Sequence, residues 1–184
     1  MQNTVFLMCV KDVKSNEVMK NWTRHWLRAG GSVTVLKTRI AKALDAAEMA
    51  LTIKMPAPSL DILLTRSDPR GVIPELGIGG WALGPTLVQM SFDLESEHLD
   101  PALDDGAVQR IIIHEANHCL RMSNRSDVQT LGAALVREGL AGRFVEFILG
   151  AGPEPWEIAI PEGELASYMP CRAVLDQHGY DHNA

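Results

Sequence analysis

In the stretch IIIHEANHCLRM, residues 111–122, His114 and His118 stand four positions apart with Glu115 between them, directly after three isoleucines. Positions four apart share one face of an α-helix, so both imidazoles can aim a nitrogen at a single ion about 2 Å from each. Glu115 sits one step round the helix, within reach of a water at that ion without binding the ion itself. The isoleucines read as the buried anchor of such a helix.

The H-E-x-x-H pattern also arises by chance, and catalytic zinc usually takes three protein ligands with water in the fourth position. A third ligand is therefore required. Further along, Leu131, Leu135, Glu138, Gly142, Val145 and Leu149 recur at steps of four and three, and every member except Glu138 is apolar or glycine. An ionised carboxylate on an apolar stripe costs several kcal/mol unless a charge or strong donors compensate, so Glu138 needs a partner. A divalent cation held by two histidines on the preceding helix would be one. The small neighbours Gly139, Ala141 and Gly142 would let the two helices approach closely.

Simpler readings stand beside this one. His114 and His118 can be a pair of satisfied helix histidines, and Glu138 can be an ion-pair partner of Arg137, Arg143 or Arg121. Cys119 is expected to be a core thiol pointing away from the histidine face, and Trp22, Trp26, Trp81 and Trp156 to be packing residues.

HEANH followed by Glu138 twenty residues after His118 resembles the gluzincins, the thermolysin-like zinc metallopeptidases whose third ligand is a glutamate on the next helix. More narrowly, HEANHCLR with TLGAALVREGLAGRFVEFILG is similar to an uncharacterised family of predicted zinc-dependent proteases that pairs H-E-x-x-H-x-x-R with an E-G-L-A helix. The resemblance implies Zn2+ bound by His114, His118 and Glu138, with Glu115 as general base toward the metal-activated water. It further implies hydrolysis of a peptide bond in a peptide or protein substrate. Thermolysin-like sites add a histidine or tyrosine that stabilises the oxyanion. Among Tyr168, His178, Tyr180 and His182, the expectation falls on His178 and Tyr180.

The chain departs from the resemblance in two places. Many gluzincins carry an aspartate four residues after the glutamate to orient a histidine ligand, but that position here is Gly142, so support for the histidine must come from elsewhere. The family pattern also continues beyond an HGYDHNA-like stretch, so a chain ending at Ala184 reads as a shortened form. A zinc-binding but catalytically inactive domain that binds a protein or peptide is the alternative function. A helical structural domain without metal is another.

The remaining segments suggest an α+β, zincin-like fold, with a small mixed sheet packed on an active-site helix and a glutamate helix. One domain is expected over 1–184, with a helical N-terminal part (1–55), a sheet part (56–100) and a helical metal-binding part (101–184). Asn16 to Arg28 reads as an amphipathic helix presenting Met19, Trp22, Trp26 and Leu27, and TVFLMCV before it as a short first strand. Val33 to Ile53 reads as a longer helix with Leu36, Ile40, Ala43, Leu44 and Ala47 at helical spacing. LDILLTR then reads as a buried strand, and GGWAL and TLVQMSF as a hairpin turning at GP. The glycines of GIGGWALG would leave a strand edge open to an extended peptide.

From Asp100 one helix is expected to run through the histidines, with Asp100 as N-cap and Pro101 as its first residue. The next begins at a Ser126 or Asp127 cap and closes at Gly150, and EGELASYMPCRAVLDQHG reads as a last helix interrupted at Pro170.

Composition restricts the partners. Seventeen basic residues against 23 acidic ones leave a formal charge of −6 without a basic stripe, which argues against nucleic acid. No apolar run approaches the roughly 20 residues that a membrane helix needs. Lys11, Asp12 and Lys14 follow the short apolar start, unlike a secretory signal, and three widely spaced cysteines suit reduced thiols, so a cytoplasmic location is expected. Oligomeric state is not legible.

Overall fold

The computed structural model describes residues 21–26, 34–67, 69–124, 130–158, 161–164, 167 and 172–178. They form an α+β structure built on a four-stranded mixed sheet. In chain order the strands are β1 (Trp22–Trp26), β2 (Leu60–Arg66), β3 (Ile78–Gly84) and β4 (Leu87–Phe92), and their order in space is β1-β2-β4-β3. β2 pairs in parallel with β1 and with β4, whereas β3 runs antiparallel to β4 and forms one edge.

Residues 22–26 are a strand, not part of the helix expected over 16–28. Trp22 and Trp26 are four apart, a spacing that satisfies both a helix face and the two-residue period of a strand. Pairing decides between them: β1 lies in register with β2 from Trp22 opposite Leu60 to Trp26 opposite Leu64. Glu48 of helix α1 (Thr34–Lys54) accepts bonds from the backbone N–H of Asn21 (2.6 Å) and Trp22 (3.2 Å), fixing where the strand starts. The N-terminal part is thus a strand–helix–strand crossover between parallel strands, which requires a long connection such as α1. The expected first strand in TVFLMCV lies outside the described residues.

α1 buries Ile40, Ala43, Leu44, Ala47 and Leu51, the face its spacing indicates. In β2, Leu60, Ile62 and Leu64 alternate inward, and β4 matches them with Val88, Met90 and Phe92. β3 and β4 form the expected hairpin, with a register shift between Ala82 and Gly84.

The single helix expected from Asp100 is two, α2 (Leu99–Asp104) and α3 (Ala107–Asn124). Gly106 separates them with φ +81°, a conformation that L side chains rarely adopt and that no helix interior contains. Asp100 is inside α2 and caps nothing. His98 is the N-cap residue, without a side-chain bond, and Asp100 pairs with Arg39 of α1.

α3 packs on β3, β4 and α1, burying Val108, Ile112, Ile113, Ala116 and Cys119. α4 (Leu131–Leu149) then packs on α3. Thr130 is its N-cap, with Oγ1 accepting from the Ala133 N–H at 3.1 Å, and Gly150 ends it at φ +66°. Thr130 thus takes the place of the expected cap at Ser126 or Asp127, residues that lie outside the described ones. Of the expected last helix, Arg172–Leu175 is helical and forms α5, which packs against α4. No helix among the described residues is long and apolar enough to cross a membrane.

Candidate metal centre

One face of α3 carries the chemistry, while Ile112 and Ile113 are fully buried in the core. His114 and His118 stand one turn apart with ring centroids 4.8 Å apart and planes at 78°, so the rings converge edge to face. His118 is buried and His114 half-buried. Glu115, also buried, turns toward β3, where its Oε2 accepts the backbone N–H of Ala82 at 2.7 Å. Gly80 makes this approach possible. A Cβ there would lie 2.5 Å from Ile111 Cγ2 and 3.0 Å from Glu115 Cγ.

α4 brings Glu138 across from the histidines. Its Oε2 is 3.2 Å from His114 Nε2 and 3.2 Å from His118 Nε2, while Arg137 Nε is 3.2 Å from its Oε1. The Arg137 ion pair considered as an alternative is therefore present, but it occupies the other oxygen. Glu138 does not lie in a buried stripe: its side chain is 46% exposed, and Leu135 is 52% exposed. The buried face of α4 is Ala134, Ala141, Gly142, Val145 and Ile148, rotated from the expected one, so Glu138 stands on a cleft wall and not in the core.

These donors suit a metal ion. The ligand-type atoms of His114, Glu115 and His118 lie within 4.8 Å of one another, a group that could hold one. Ligands about 2.0–2.1 Å from a tetrahedral centre stand roughly 3.3 Å from each other. The two 3.2 Å separations from Glu138 Oε2 match that edge. They also lie at the long limit for hydrogen bonds, and a neutral imidazole has only one N–H to donate. Two nitrogens and one oxygen with an open side are the donor set of a catalytic zinc site.

The electrostatics follow from this crowding. Burial works to raise the Glu138 carboxyl, but the bonds from His114 and His118 outweigh it and hold the group well below the usual carboxylate range. For His114, burial works downward, and the bond to Glu138 with the charges of Glu115, Glu138 and Glu157 raises it overall. Glu115 is raised by burial, against the opposing pull of His118, His114 and the Ala82 N–H. Burial, with the nearby Glu115 charge, pushes the Cys119 thiol up to about 12, consistent with an inert core thiol.

A cleft of about 760 Å³ opens beside His114, Glu115 and Glu138. Gly80 and Trp81 of β3, Ile111 of α3, Val145 of α4 and Ile158 form part of its wall. His178 is not brought there. It makes an isolated bridge with Thr130 at the start of α4 and is absent from the described residues lining the cleft. Tyr168, Tyr180 and His182 lie outside the described residues. Two residues near the histidines carry no recognisable signal in the sequence: Ala82, whose backbone N–H meets Glu115, and Glu157, which lines the cleft from the turn after α4.

No curated protein and no solved structure matches the chain. A family model described as Predicted Zn-dependent protease (DUF2268) matches residues 40–182, from α1 through both helices of the candidate site. With most of its length so matched, and with the histidines and Glu138 inside the match, the chain belongs to this family of predicted zinc-dependent proteases.

Proposed function

We propose that the protein is a zinc-dependent peptidase of gluzincin type, with His114, His118 and Glu138 as metal ligands and Glu115 as general base. The observation that carries this reading is the placement of Glu138 Oε2 at equal distance from the two Nε2 atoms. Glu115 is less suited to be the third ligand because its Oε2 is taken by the Ala82 N–H.

Zinc, when bound, would supply Lewis-acid polarisation of the scissile carbonyl and a nucleophilic water at neutral pH. Glu115 keeps Oε1 for proton transfer while Ala82 fixes its other oxygen, and burial raises its proton affinity toward the range of an effective base. From Oε1 the proton passes to the leaving amine. β3, at the sheet edge and in the cleft wall, is positioned to pair with an extended peptide. The zincin-like architecture and a cytoplasmic location belong to the same proposal, the latter supported by the small number of cysteines and the buried free thiol of Cys119.

The test is hydrolysis of a mixed peptide library by zinc-loaded protein. The expected result is cleavage that a chelator abolishes and added zinc restores. Peptide binding with zinc bound and no cleavage would instead identify the inactive binding domain.

A further inference from the structure

α4 contributes Glu138, Gly142 and Val145 to the cleft wall, spaced four and three residues apart and therefore along one face of the helix. Where a side chain of residue 142 would stand there is a carboxylate instead: a Cβ on Gly142 would lie 1.8 Å from Glu157 Oε1 and 2.8 Å from its Cδ. Glu157 is exposed, lines the same cleft and belongs to the turn Pro155–Ile158 that follows α4. Four residues of helix rise about 6 Å, which sets the spacing along α4 between the level of Glu138 and that of the Glu157 carboxylate.

The other charged side chains of the cleft have their own places. Glu154 pairs with Arg110 and Glu146 with Arg143, Glu115 and Glu138 belong to the metal centre, and Arg70 stands in the turn Pro69–Gly71 beside β3. Glu157 differs. Its Oε2 accepts the Glu154 N–H at 2.7 Å, and among the described residues no basic side chain is paired with it. Apolar side chains flank it: Val145 is one turn on from Gly142, Ile158 follows Glu157, and both line the cleft. A carboxylate with apolar neighbours suits a long side chain that lays its methylenes on the apolar wall and carries a cation at its tip. An apolar side chain in the same place would strip water from the carboxylate and return nothing for it.

We propose that Glu157 is a specificity-determining residue, selecting substrates with a lysine or arginine side chain near the scissile bond. An extended peptide advances about 3.3 Å per residue, so a spacing of about 6 Å from the level of Glu138 places that residue within about two positions of the bond cleaved. A free amino terminus carries the same charge but lacks the methylene stem that Val145 and Ile158 would cover. The inference rests on the peptidase reading above and adds the substrate class to it.

The test takes a peptide that the zinc-loaded protein cleaves, acetylated at its N-terminus, and places lysine, arginine, norleucine or glutamate in turn at the two positions on either side of the cleaved bond. At one of these positions kcat/KM should be about 10-fold higher for lysine or arginine than for norleucine, which has the same stem without the charge, and lower still for glutamate. Glu157→Gln keeps an oxygen to accept the Glu154 N–H and should bring lysine and norleucine level, while Glu157→Lys should favour glutamate. Glu146→Gln removes a different negative charge from the cleft, one paired with Arg143, and should keep the preference. Cleavage with no preference for a basic residue, a preference that survives Glu157→Gln, or an equal loss in Glu146→Gln would overturn the inference and leave the peptidase reading standing. If no peptide is cleaved the peptidase reading fails, and dissociation constants for the same peptides on the zinc-loaded protein then decide whether Glu157 selects a basic side chain: a lysine preference lost in Glu157→Gln supports it, and equal binding of lysine and norleucine peptides overturns it.

Discussion

The backbone N–H of Ala82 donates to Glu115 Oε2 at 2.7 Å, tying the edge strand β3 to the helix that carries both histidines. On the proposed function, the same bond would fix the general base beside the strand where a substrate would lie. Glutamine at position 115 can still accept from Ala82 but cannot take a proton. Glu115→Gln should therefore keep its fold and bind zinc near the wild-type level, while peptide hydrolysis falls by about 10²- to 10⁴-fold. Turnover measured beside metal content in one preparation checks this, and unchanged turnover would contradict the assigned role.

Gly80 sets how closely α3 can approach β3. With a Cβ only 2.5 Å from Ile111 Cγ2 and 3.0 Å from Glu115 Cγ, Gly80→Ala forces the helix and strand apart. Overpacking of this kind costs about 1–3 kcal/mol, read as a melting temperature lower by roughly 2–10 °C. Thermal unfolding followed by circular dichroism measures it. An unaltered midpoint would mean that the contact is looser than the geometry indicates.

Without metal, the pair His114–Glu138 makes stability depend on pH from both sides. His114 is raised when folded, so its contribution is complete below the ordinary histidine value of about 6.5 and is lost as pH rises through the raised one. Glu138 is lowered, so its contribution is present above the ordinary carboxylate value of about 4.5 and is lost as pH falls through the lowered one. Chelator-treated protein should resist urea best between those ordinary values and weaken toward alkaline pH. Glu138→Gln should flatten the alkaline loss. A urea midpoint that rises from pH 6 to pH 9 would contradict the coupling.

The helix with two imidazoles, its isoleucine anchor and the strands LDILLTR and TLVQMSF were legible because their periodicities are unambiguous over enough residues. Glu138 was legible as a misfit among apolar neighbours, although the inferred burial was too deep: α4 turns a different face inward, and Leu135 is exposed with it. Trp22 to Trp26 misled because a four-residue spacing suits helix and strand alike, and only the register with β2 separates them. The break at Gly106 was hidden because Asp104 and Asp105 before it suit the first turns of one long helix begun at Asp100. Glu157 could not be read at all, since its place depends on the path of the chain after Gly150 and on a space that the sequence shows only as one more glycine.

The most direct test of the central claim is an anomalous difference map, collected on both sides of the zinc absorption edge, from crystals of the zinc-loaded protein. One peak is expected, with His114 Nε2, His118 Nε2 and Glu138 Oε2 each about 2 Å away and the fourth side open to the cleft. A peak that excludes Glu138, or none between α3 and α4, would contradict the account.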